Sequence, residues 1–112
     1  MSSSLLTESL KKSNAEVLIV GAGLAGSECA WQLAERGHTV AIIEQRPLRT
    51  TEAHTGSLMA ELVCSNSLKS TEADSAPGLL KYELSKLNSL ILKTAYDTQV
   101  PAGHALAVDR NK

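Results

Sequence analysis

Two unbroken apolar runs frame the first third of the chain. Val17, Leu18, Ile19 and Val20 form one, and Thr39, Val40, Ala41, Ile42 and Ile43 form a second that stops at Glu44. Runs that do not alternate fit strands buried on both faces of a parallel sheet. Between them, residues 24–36 read as a helix with Leu24, Ala30, Leu33 and Ala34 on its inner face. Gly37 stands where a helix C-cap glycine belongs. Residues 16–44 thus predict a complete βαβ unit.

The flanks are less regular. Residues 1–15 are rich in Ser, Lys and Asn and read as a flexible leader, with Leu5, Leu6 and Leu10 able to form a frayed helical turn. Residues 45–74 lack periodicity and predict mainly loop, with a short helical turn near residues 58–63. Leu80, Leu84, Leu87 and Ile91 then follow in alternating steps of four and three, which predicts one amphipathic helix over about residues 76–94. Ser75 is its expected N-cap, with Pro77 in the first turn. Ala105, Leu106, Ala107 and Val108 form a short strand candidate.

Composition narrows the class. The chain has 112 residues, 12 acidic and 11 basic, with 43% hydrophobic and 21% charged positions. That balance excludes a collagen-like chain, a polybasic nucleic-acid tail and a wholly disordered segment. No apolar run approaches the ~20 residues a membrane helix needs. Leu5-Leu6 falls short of a signal-peptide core, so the expected location is cytoplasmic. Trp31, Tyr82 and Tyr96 are the only aromatics, few for an autonomous core. The expectation is an incomplete piece of a larger domain.

The strongest chemical signal is the turn Gly21, Ala22, Gly23, Leu24, Ala25, Gly26, set between predicted strand and predicted helix. In such a turn the first glycine permits the tight bend and the second lets a pyrophosphate approach the backbone. The third lets helix and strand pack closely, while the helix N-terminus faces the phosphate charge. Glu44, at the end of the second strand, lies 18 residues beyond Gly26. That is where a carboxylate accepts hydrogen bonds from an adenosine ribose. The site is read as dinucleotide-binding. Glu44 would repel a 2′-phosphate, which argues against NADP here and leaves FAD and NAD open. Arg46 reads either as a phosphate contact or as a solvated loop charge.

The cysteines read differently from each other. Cys29 and Cys64 are 35 residues apart with no C-x-x-C partner, so neither a disulfide framework nor a zinc site is expected. Cys29, inside the helix, reads as a small buried packing thiol. Cys64, in the polar stretch Glu61-Leu-Val-Cys64-Ser-Asn-Ser67, is the candidate catalytic residue, with His54 and Glu61 as groups able to set its acidity. His38, His54 and His104 lack metal-ligand spacing, and no metal site is expected.

Three stretches carry a family resemblance: V-G-A-G-L-A-G-S-E-C-A-W-Q-L-A-E-R-G, then A-E-L-V-C-S-N-S-L-K-S, then V-P-A-G-H-A-L-A-V-D-R. In this order they resemble the N-terminal quarter of the folate- and FAD-dependent tRNA (uracil-54-C5)-methyltransferases, the TrmFO family of bacterial flavoproteins. The resemblance runs over nearly all of residues 16–110. It implies a Rossmann-like FAD-binding βαβ unit, part of a larger doubly wound parallel-sheet flavoprotein. FAD would be held at Gly21, Ala22, Gly23, Leu24, Ala25, Gly26 and Glu44. Cys64 would correspond to a cysteine the family keeps beside the flavin. The implied co-substrates are methylenetetrahydrofolate and NAD(P)H, and the implied partner is the tRNA T arm, with no membrane and no metal. The chain departs from the family pattern at His104, where a second glycine is expected, and at Met59 and Glu52, where Phe and Pro are usual.

Three other readings compete. A sister flavoprotein family modifies the tRNA wobble uridine and shares the glycine turn, but lacks the stretch around Cys64. An NAD-linked dehydrogenase would carry no flavin. A non-catalytic nucleotide-binding module would lack chemistry altogether. The basic residues Arg46, Arg49, Lys69 and Lys81 do not form a groove-like cluster in sequence.

Overall fold

The structure, a computed structural model, describes residues 3–112. The first two residues of the expected leader lie outside the described residues. The chain divides into two compact units, one ending at Glu61 and one beginning at Leu62. Among the described residues, no helix is long and apolar enough to cross a membrane.

In the first unit, residues read as leader form helix α1 (Ser3–Ser13), with no buried side chain. Strand β1 (Val17–Val20), helix α2 (Leu24–Glu35) and strand β2 (Val40–Ile43) follow. β1 and β2 are parallel, in the register Val17 to Val40 through Val20 to Ile43. This is the predicted βαβ unit, a parallel strand pair with its crossover helix. α2 ends where Gly37 takes a left-handed φ of 87°. Gly37 N donates to Ala34 O at 3.0 Å and His38 N to Leu33 O at 3.1 Å. These two bonds are a Schellman closure, which satisfies the last helical carbonyls.

The second unit is built differently. Strand β3 (Ser67–Ser70), helix α3 (Ala76–Lys86), helix α4 (Leu90–Asp97), strand β4 (Gln99–Val100) and strand β5 (Ala105–Val108) follow in order. The sheet order is β3-β5-β4, and both pairings are antiparallel. Leu92, Ala95, Leu106 and Val108 form its core, with Leu62, Leu68 and Leu84 packed against them.

Three expectations change here. The single helix over residues 76–94 is two helices, because Asn88 adopts φ 53° between them. Asn88 N donates to Ser85 O at 3.3 Å and Ser89 N to Leu84 O at 3.2 Å, a second Schellman closure. Ser89 then caps α4, accepting from Leu92 N at 3.1 Å. With the axis broken, Leu80 and Leu87 are more than half exposed, while Leu92 and Ala95 face the core. Second, the loop over residues 45–74 contains β3. Third, residues 58–60 are bend and turn and residues 61–63 are irregular, rather than helix. Ser75 behaves as expected, accepting from Gly78 N at 3.1 Å.

Candidate functional site

The glycine turn joins β1 to α2 at the end of the parallel pair. Gly21 has φ 101°, a conformation that suits glycine. Its N–H donates to Ile43 O at 2.7 Å, tying the turn to the end of β2. Gly26 packs so tightly that a Cβ there would overlap the Gly21 carbonyl. Gly23 is the opposite case. It is the N-cap of α2, no side chain caps the helix, and a Cβ on it would meet nothing within 4 Å. A helix start leaves its first N–H groups without intrahelical acceptors and concentrates positive partial charge there. The turn therefore offers open space before a cationic helix end, an arrangement suited to a pyrophosphate. Leu24 and Ala25 form the first turn of that helix.

Glu44 is brought to the same turn. Its Oε2 accepts from Ala22 N at 2.9 Å and from Arg46 Nη2 at 3.2 Å, and its Oε1 accepts from Arg46 N at 3.1 Å. These donors, the Arg46 guanidinium first, hold its carboxyl down from 4.5 to about 2. Glu44 is an ionised acceptor beside the glycine turn.

Arg46 fits neither expectation. Its side chain is 2% exposed, and Nη1 lies 2.9 Å from Glu61 Oε2 while Nη2 holds Glu44. Two carboxylates within reach of one planar fork draw the guanidinium inward, so it is neither solvated nor directed at a phosphate. Glu61 is equally committed. Its Oε1 accepts from Thr55 N at 3.1 Å, Thr55 Oγ1 at 2.9 Å and Gly56 N at 3.0 Å. Its carboxyl is held below the usual range, chiefly by the Thr55 backbone N–H. Sequence reading missed this carboxylate–guanidinium–carboxylate group because Glu61 is 15 positions from Arg46.

The two cysteines are both exposed and free. Cys29 therefore departs from the packing role expected of it. It sits one turn after exposed Ala25, away from the partly buried Gly26, Ala30 and Leu33. Cys64 lies at a bend before β3, in the second unit, whereas the glycine turn, Glu44, Arg46 and Glu61 all lie in the first. His54 Nδ1 is 2.6 Å from Thr51 Oγ1, and Glu61 serves Arg46 and the Thr55–Gly56 backbone. His104 is exposed, and its backbone carbonyl accepts from Thr71 N at 2.8 Å and Thr71 Oγ1 at 3.0 Å. Among the described residues no group of three or more His, Cys, Asp or Glu side chains could hold a metal ion.

Comparison with known proteins adds the following. Residues 16–112 match the family model described as glucose inhibited division protein A. A relative from Dictyoglomus thermophilum is 61% identical over 95 residues, covering 85% of this chain and 22% of its own length. A relative from Koribacter versatilis is 59% identical over 97 residues, 87% of this chain and 22% of its own. One from Lactobacillus gasseri is 57% identical over 96 residues, 86% of this chain and 22% of its own. Each relative is named methylenetetrahydrofolate–tRNA-(uracil-5-)-methyltransferase TrmFO. The chain spans about a fifth of the length of these curated relatives.

Proposed function

The chain belongs to the glucose inhibited division protein A family, and on that premise we propose that it is the N-terminal, FAD-binding portion of a tRNA methyltransferase. The reaction is methylation of carbon 5 of the T-loop uridine at position 54, with methylenetetrahydrofolate as carbon donor. The identity to relatives of that name, 57–61% in the three described, carries this reading. It extends over the segment around Cys64 as well as the glycine turn, which favours it over wobble-uridine modification.

The residues present fit FAD. Gly23 leaves room at the start of α2 where a Cβ would meet no protein atom, so a pyrophosphate can reach the backbone of Gly23, Leu24 and Ala25. Gly21 and Gly26 shape that turn, Ala22 fixes Glu44 through its N–H, and Glu44 receives the ribose hydroxyls. Bound here, a flavin reduced by NAD(P)H would supply the two electrons that turn a folate-borne methylene into a methyl group. Carbon 5 of uracil becomes nucleophilic when a thiolate adds at carbon 6. Cys64 is the catalytic residue that this chain contributes to the transfer, as attacking thiolate or as acid, base or methylene carrier, and its exposed position leaves it open to substrate. The T arm of tRNA is the macromolecular partner, and the cytoplasm is where it is met.

The experiment uses the polypeptide that carries this sequence in its source cells. Purified protein should hold flavin by absorbance and form 5-methyluridine in a T-loop RNA from methylenetetrahydrofolate and NADPH. Cys64→Ala should keep the flavin and lose the product. A flavin-free protein, or methylation unaffected by Cys64→Ala, would overturn the respective assignment.

A further inference from the structure

A closed ring of contacts runs through the glycine turn. Ala22 N donates to Glu44 Oε2 at 2.9 Å, Arg46 Nη2 meets the same oxygen at 3.2 Å, and Arg46 Nη1 reaches Glu61 Oε2 at 2.9 Å. Glu61 follows Ala60, whose N–H returns to Ala22 O at 2.8 Å. Ala22 is thus held through both its N–H and its carbonyl, and is 1% exposed. The only cation in this ring is Arg46.

We propose that Arg46 is the positioning residue of the dinucleotide site, setting the Glu44 carboxylate for an adenosine ribose by anchoring itself on Glu61. The proposal rests on the dinucleotide reading of the turn. Oε2 of Glu44 is engaged by Ala22 N and Arg46 Nη2, whereas Oε1 is met by Arg46 N at 3.1 Å, so Oε1 is the less engaged oxygen and the one offered to a ribose hydroxyl. The side chain of Arg46 itself is directed by Glu61, which three donors from Thr55 and Gly56 hold in place. A planar fork spans two carboxylates in this way, whereas a lysine ammonium presents a point charge on a flexible stem. Arg46 also offsets one of two adjacent negative charges, leaving the group with a single net negative charge that receives neutral hydroxyls and repels a ribose phosphate.

The test uses the flavin-depleted polypeptide that carries this sequence in its source cells, with ADP and 2′,3′-dideoxy-ADP as probes, followed by backbone amide shifts at residues 22–26. Arg46→Lys keeps a cation. The double variant Arg46→Gln/Glu61→Gln removes the cation together with the facing carboxylate, so no like charges are left to unfold the turn. Both should keep dispersed spectra yet bind ADP at least about tenfold more weakly, the worth of one charge-assisted hydrogen bond. Affinity for 2′,3′-dideoxy-ADP should change by less than about twofold, because that ligand has no hydroxyl for Glu44 to accept. Equal weakening of both ligands would make Arg46 merely structural and overturn the positioning role. Undiminished ADP binding in both variants would also overturn it while leaving the dinucleotide reading intact. If the parent chain shows no ADP-dependent shift at residues 22–26, the dinucleotide reading fails and this inference falls with it.

Discussion

Gly26 lies against the carbonyl of Gly21 so closely that a methyl group on Gly26 would overlap that oxygen and come within 3.4 Å of Ile19 Cγ2. Helix α2 can sit on β1 only because residue 26 has no side chain. Gly26→Ala should therefore destabilise the first unit by about 1–3 kcal/mol, the usual cost of overpacking. The change should appear as a lower urea midpoint at constant slope.

Gly23 gives the converse prediction. A side chain there meets no protein atom, and its φ of −74° suits any residue. Gly23→Val should cost about 1 kcal/mol or less, through the poorer N-cap alone. It should nevertheless abolish nucleotide binding, because the added branches occupy the space before the helix. Thermal melts and flavin retention, measured on the same preparation, separate the two effects. Retained flavin would move the pyrophosphate away from this turn.

The cysteines should be equally accessible and unequally important. Both are exposed, so an aromatic disulfide reagent should titrate two thiols in the folded chain without denaturant. Cys29→Ala should shift stability by no more than about 0.5 kcal/mol, as for a surface position. A thiol count below two before unfolding would restore a packing role to Cys29.

Acid should weaken the first unit within a defined window. The Glu44 carboxyl is lowered from 4.5 to about 2 in the folded chain. A depressed carboxyl contributes stability above its unfolded pKa and loses it as pH falls through the folded one. Glu61 and Glu16 are shifted in the same direction. The melting temperature should therefore hold above pH 4.5 and fall between that value and about 2. Glu44→Gln should flatten the curve over this range, since the amide takes up no proton.

What could be read from sequence was local. Strand, glycine turn, helix and second strand each announce themselves within a few residues, and β1, α2 and β2 lie within a residue or two of their expected bounds. The two Schellman closures show where local reading stops. Gly37 marks the first because glycine favours left-handed φ. Asn88 makes the same turn with φ 53°, but Leu84, Leu87 and Ile91 continue a helical spacing straight across it. The pair Asn88-Ser89, a left-handed former followed by an N-cap, was the signal available. β3 was illegible for another reason: Ser67, Leu68, Lys69 and Ser70 have no apolar pattern, and their strand exists through pairing with β5. Arg46 and Glu61 likewise became a pair only when the chain folded back.

Lys81 supplies the last prediction. Its ammonium is buried among backbone carbonyls, donating to Leu68 O, to Ser70 O at 3.0 Å and to Pro77 O at 3.3 Å. Between Leu68 and Ser70, Lys69 takes φ 67°, and the β3–β5 register shifts between Ser67 and Ser70. Irregular pairing turns two β3 carbonyls toward one side, where Lys81 satisfies them from α3. Burial pushes its ammonium below the ordinary 10.5, so the charge is carried at a cost that these acceptors offset. Lys81→Met keeps the length and apolar stem but leaves the Leu68 and Ser70 carbonyls without this donor. An orphaned buried acceptor costs about 1–3 kcal/mol, and the second unit should lose stability by that order. Amide exchange should quicken first in β3 and at Thr71, whose N–H donates to His104 O. Unchanged exchange in β3 would mean that its pairing with β5 holds the strand without help from α3.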